Sequence, residues 1–146
     1  MSKSKKKTII KRDVQGEINC LFECYKRLLG KDSVLNNKNG EIVEPYKRIC
    51  LDCFLLHARN LFDFFCAIPR KDDVSAVQFY PETTKLICNV PINRINKQLS
   101  HITWDRLSRR QRDLSNEKEK IYNAIINAAE EYNKRVEKDY KLRIPN

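Results

Sequence analysis

Apolar residues recur at helical spacing along four stretches of the chain, separated by polar segments rich in turn-forming residues. In the first stretch Ile18, Leu21, Phe22, Tyr25, Leu28 and Leu29 gather on one face, with Asp13 placed to cap the start and Gly30 to close the end. The second starts at Pro45, a residue suited to a first helical turn, and runs through Cys50, Phe54, His57, Leu61 and Phe65 to about Cys66. It is apolar nearly all round, with Asp52, Arg59 and Asp63 as its polar stripe, which predicts a central helix carrying an internal ion network. The third starts at Pro91 and buries Ile92, Ile95, Leu99 and Ile102, leaving Arg94, Lys97 and His101 on the opposite side. The fourth, capped by Ser115, turns Ile121, Ala124, Ile125, Ala128, Tyr132 and Val136 inward.

The connections follow from what the helices leave over. KDSVLNNKNGEIVE reads as a polar link with an Asn-Gly turn, Ala67–Pro81 as a long excursion with at most a short helical turn, and Thr83–Val90 as extended. The prediction is an all-α, four- or five-helix up-and-down bundle, with residues 13–140 as one domain behind a flexible basic tail, residues 1–12.

Charge sharpens the picture. The chain has 146 residues and a net charge of +10, which favours an acidic partner, RNA first among them. Residues 1–12 hold six basic groups and no acid, and Thr84–Arg112 holds seven against the single Asp105. With no apolar run of roughly 18 residues and no secretory leader, the expectation is a cytoplasmic protein with no membrane contact. Its six cysteines are then expected to be reduced.

Candidate chemistry centres on the two histidines. His101 and Arg94, about two turns apart, share a face where an imidazole could move the 2′-hydroxyl proton and a guanidinium hold the phosphate in metal-free RNA cleavage. The same face is equally an ordinary solvated surface. Lys97, Asn96 and Ser100 stand beside the pair. His57 has Cys50, Cys53, Leu61 and Phe64 as wheel neighbours and reads as a hydrogen-bonded interior histidine, or as one sharing a pocket with His101. Trp104 and Phe79 offer base stacking, and Trp104 equally a cap on the core. Cys20-x3-Cys24 and Cys50-x2-Cys53-x3-His57 would supply zinc ligands if their faces met, but both lie in amphipathic helices where cysteine is commonly a buried hydrophobe. No metal and no cofactor is assigned. Asp72-Asp73 reads as local charge balance for Arg70-Lys71. A Gly-rich phosphate loop, G-x-S-x-G and H-E-x-x-H are absent.

The strings LHARNLFDFF, PRKDDV and INKQLSHITWDRL, in this order within residues 45–110, resemble a group of small bacterial helical proteins and, more remotely, the HEPN superfamily (higher eukaryote and prokaryote nucleotide-binding domains). That resemblance implies a helical bundle, a homodimer and a metal-independent RNase site built from an Arg and a following His in each copy. The six residues between Arg94 and His101 match the long end of the family's spacing, although Ile95 stands where a polar residue is usual. Arg59-Asn60 has the expected dipeptide without the following His. The implied function is an endoribonuclease in phage defence or a toxin-like system, with a cognate neutralising or regulatory protein. Arg94 and His101 would be catalytic, Lys97, Arg106 and the basic tail would guide RNA, and His57, Arg59 and Asn60 would shape the pocket. The alternatives are a non-catalytic module that binds nucleic acid or protein, and a zinc-stabilised regulatory subunit.

Overall fold

The computed structural model describes residues 2–30, 46–80, 86–100 and 114–145. The fold is an all-α bundle. Helix α1 (Lys3–Thr8) runs through a π-helical turn (Ile9–Val14) into α2 (Gln15–Leu28), followed by α3 (Tyr46–Phe65), α4 (Ile92–Ser100) and α5 (Lys118–Arg135). Short 3-10 turns lie at Ala76–Gln78, Leu114–Glu117 and Lys138–Tyr140.

Helix α2 ends as its sequence predicts: Gly30 takes φ 73°, and its amide donates to the Arg27 carbonyl at 2.9 Å. Within α2, Gly16 has open space where a Cβ would stand, so no contact requires glycine there. Gly16→Ala is therefore expected to stabilise the protein by about 0.5–1 kcal/mol. A rise in thermal midpoint of about 1–4 °C checks this.

Helix α3 is the centre of the bundle. Its Phe54, Leu55 and Ala58 are wholly buried, and Leu61 and Phe65 nearly so. Glu17 meets His57 and Asn60, while Tyr25, about two turns further along α2, meets Phe54. The partners run in opposite order, so α2 and α3 are antiparallel. Helix α5 closes the core: Tyr132 meets Phe64 and Phe65 edge-on at 5.7 Å, and Tyr122 stacks on Tyr25 at 4.1 Å. Aromatic pairs of this kind add about 0.5–1.5 kcal/mol each beyond their buried area.

Two readings of the chain ends are corrected. The segment expected as a flexible tail is helical from Lys3, with Ile10 wholly buried in the common core. Lys3 and Lys7 pair with Glu137 and Asp139 at 3.4 and 3.3 Å, and Lys11 donates to the Lys141 carbonyl at 2.7 Å. The core also continues past residue 140: Leu142 is buried and held by Asn133, whose amide donates to its carbonyl at 2.9 Å and whose Oδ1 accepts from its amide at 2.7 Å. These ends dock on each other, which neither end's own pattern discloses.

The excursion after α3 carries only the short turn at Ala76–Gln78, and Ser75, Ala76, Phe79 and Tyr80 anchor it in the core. The stretch 86–90 has no regular secondary structure, while Thr83–Lys85 and Ile102 lie outside the described residues. Among the described residues no helix is long and apolar enough to cross a membrane.

Candidate functional site

Helical spacing places Arg59, Asn60 and Asp63 together on α3, at the end nearest the excursion. The excursion folds back over this patch, and α4 packs alongside. The result is an open groove of about 400 Å³, lined by Arg59, Asn60 and Asp63 from α3, Arg70 and Asp73 from the excursion, and Asn96 from α4, with Phe64 and Val74 as apolar wall. These residues come from the three separate strings LHARNLFDFF, PRKDDV and INKQLSHITWDRL, which tertiary folding brings to one place. A second cavity of about 320 Å³ adjoins it through Asn60, Phe64 and Val74 and is lined mainly by Ile9, Val14 and Leu61, with Glu17 at its edge.

The carboxylates of the groove are already engaged. Asp63 faces Arg59 at 3.9 Å, and burial raises its carboxyl above the usual carboxylate range, opposed by Arg59. Asp73 Oδ2 accepts from the backbone amide of Arg70 at 2.7 Å, closing the turn at this corner. The predicted stripe network is thus only half present, because Asp52 pairs with Arg48 at 3.2 Å rather than with Arg59. Asn96 turns its Oδ1 inward, where among the described residues it has no hydrogen-bond partner.

His57 is a satisfied histidine. Its Nδ1 lies 2.8 Å from Glu17 Oε2, and Asn60 donates to both Glu17 oxygens at 3.2 Å. Glu17 therefore fastens α2 to α3 beside the groove. The sequence reading missed it, although a wheel signal existed: it sits one turn before buried Leu21, where a charge is unusual. A hydrogen bond at Nδ1 also fixes the ring's orientation.

Arg94 does not line the groove. Two positions before Asn96 on α4, it projects elsewhere and forms an ion pair with Glu117, half-exposed on both sides. The side chain of Lys97 and the whole of His101, Trp104 and Arg106 lie outside the described residues. Of the candidate residues, then, Arg59, Asn60 and Asn96 share the groove, and His57 adjoins it through Glu17.

The cysteines divide into two groups. Cys66, just past α3, and Cys88 form a disulfide with Cα atoms 6.0 Å apart, which corrects the expectation of six thiols. Sequence separation hid this pair; packing of the 86–90 stretch against the end of α3 makes it. Cys20, Cys24, Cys50 and Cys53 carry no disulfide. The α2 and α3 cysteine faces do meet: burial, then the neighbouring Cys53, Cys50 and Cys20, pushes the Cys24 thiol up to about 12. A thiol so placed stays protonated at neutral pH and is a poor nucleophile. Among the described residues no group of three or more His, Cys, Asp or Glu side chains is arranged to hold a metal ion. Compared with known proteins, the chain matches no family model, no curated protein and no solved structure.

Proposed function

We propose that this protein is a HEPN-like module that binds single-stranded RNA through the groove between α3, the excursion and α4. The observation that carries this reading is the convergence there of Arg59 and Asn60, Arg70, and Asn96 from three separate strings. Arg59 and Arg70 supply phosphate contacts, Asn60 and Asn96 neutral hydrogen-bonding groups, and the net charge of +10 the long-range attraction. Asp63 and Asp73 offset Arg59 and Arg70 within the groove, so the attraction for RNA rests chiefly on the chain's long-range charge.

Metal-independent cleavage by Arg94 and His101, across two copies of the chain, is the second reading. It is favoured by the half-exposed setting of the Arg94–Glu117 pair. Such pairs contribute about 1 kcal/mol or less, and a charge-assisted, bidentate Arg–phosphate contact is stronger, so a phosphate can displace Glu117. A role in phage defence or a toxin-like system, with a cognate partner, belongs to this reading.

The test is fluorescence anisotropy with a labelled single-stranded RNA in EDTA, run alongside a cleavage gel. Binding predicts that Arg59→Ala/Arg70→Ala weakens affinity and lowers the salt slope by about 1.4, at about 0.7 per lost phosphate contact. No salt-dependent RNA binding by the wild type, or an unchanged slope in the double variant, sinks the groove reading. Cleavage by wild type but not by His101→Ala establishes the enzyme, and intact RNA with both removes it.

A further inference from the structure

The disulfide lies at one end of the groove, joining the end of α3 to the 86–90 stretch that precedes α4. Cys66 lies one residue beyond α3, its amide donating to the Phe62 carbonyl at 2.8 Å, so this end is held by the helix. Cys88 belongs to the 86–90 stretch that leads into α4, and that stretch has no regular secondary structure. Among the described residues, buried Leu86 and Val90 seat it besides the bond, and Leu86 and Ile87 share a small cavity with Asn127, Ala128, Glu131 and Arg135 of α5. The cross-link therefore fixes the approach of α4, which carries Asn96 to the groove, against the end of α3, which carries Arg59 and Asn60.

The bond is also reachable. Both cysteines are half-buried, and beside them Ile68 and Ile87 are 78% and 95% exposed. Elsewhere four cysteines, including exposed Cys20, carry no disulfide although α2 and α3 bring them together. One cross-link among persisting thiols suits reversible exchange better than a fully oxidised scaffold.

We propose that Cys66–Cys88 is a thiol–disulfide exchange site, reduced by a dithiol, and that its state sets how firmly α4 is seated beside the groove. A reductant thiolate attacks one sulfur, forming a mixed disulfide and releasing the other cysteine as a thiolate, which takes a proton. The reductant's second thiol then displaces the remaining cysteine, which is protonated in turn. Two electrons pass to Cys66 and Cys88, and the dithiol leaves as a cyclic disulfide. The effect on RNA rests on the groove reading above; the exchange chemistry does not.

The experiment equilibrates the full chain in buffers of reduced and oxidised dithiothreitol, counts alkylated cysteines, and follows amide hydrogen exchange in both states. Reduction under native conditions is expected to expose two further thiols and to speed exchange over residues 86–96 about tenfold, with α2 and α5 unchanged. The Cys66→Ser/Cys88→Ser variant is expected to exchange like the reduced wild type and to ignore the buffer. A bond that opens only when the protein unfolds, six alkylatable thiols in the oxidised buffer, or equal exchange in both states overturns the proposal. Repeating the RNA titration in both states separates the two readings. Faster exchange without RNA binding in either state keeps the redox site and discards the groove function. Equal RNA binding and equal exchange in both states do the reverse.

Discussion

Replacing Ile10 with alanine lowers the unfolding free energy by about 2–5 kcal/mol, as expected for truncating a wholly buried isoleucine. Ile10 has no exposed surface and belongs to the same apolar cluster as Phe54, Leu61 and Tyr132. Its removal leaves a cavity that the helix cannot close alone, because Lys3, Lys7 and Lys11 hold the segment against residues 137–141. Those polar contacts are minor by comparison. Exposed ion pairs of this kind contribute little to stability, so Lys3→Ala and Lys7→Ala should barely move a urea unfolding curve. An Ile10→Ala loss below about 0.5 kcal/mol, within the range of surface changes, would show that this segment is not part of the core. The result also bears on function. Lysines committed to Glu137 and Asp139 are partly neutralised and positioned, so they contribute to a fixed field rather than to a swinging tether.

The second large effect lies at alkaline pH. Burial pushes the Cys24 thiol from 9.0 up to about 12, and the stacked Tyr25 and Tyr122 hydroxyls are raised as well, also by burial. For an acid whose folded-state value is raised, stability is complete below the unfolded value. It is lost as the unfolded chain ionises first, from about pH 9 up to about 12 for Cys24. The Cys24 displacement corresponds to about 4 kcal/mol, which partial solvent access reduces to about 2–3 kcal/mol. Urea unfolding at intervals between these pH values should show the decline, and Cys24→Ala should reduce it, leaving the share due to Tyr132, Tyr25 and Tyr122, whose hydroxyls burial also raises. An identical decline in Cys24→Ala would place the effect elsewhere. The same environment makes Cys24 slow to alkylate at neutral pH, whereas exposed Cys20 should react readily.

Much of this fold was legible because the signals were local. Pro45 and Pro91 precede helices that begin at Tyr46 and Ile92, Gly30 closes α2 with a positive φ, and α5 turns Ile121, Ile125, Ala128 and Tyr132 inward as their spacing requires. The candidate site was legible only in part. Arg59, Asn60 and Asn96 were named from the strings that contain them, but nothing in either string says that they face one another across a groove with Arg70. Glu17 went unnoticed because its partner is 40 residues away, and Arg94 was assigned to phosphate although Glu117, 23 residues on, reaches it. The N-terminal segment read as tail because its lysines outnumber its apolar residues, yet Ile10 is buried in the core and Ile9 packs partly buried against it.

The sequence by itself therefore determined what depends on neighbours three or four residues apart: the four main helices and their apolar faces, the starts after Pro45 and Pro91, the stop at Gly30, and a strongly cationic whole; Asp13 and Ser115, expected as caps, instead lie inside the π-helical turn and the 3-10 turn. Only the tertiary structure decided what depends on distant residues meeting: the docking of the chain ends, the Cys66–Cys88 cross-link, the Glu17–His57–Asn60 clasp and the groove. Helical periodicity specifies a face but not its partner. That partner is chosen by the packing of all the helices at once, through close-packed contacts that no single segment encodes.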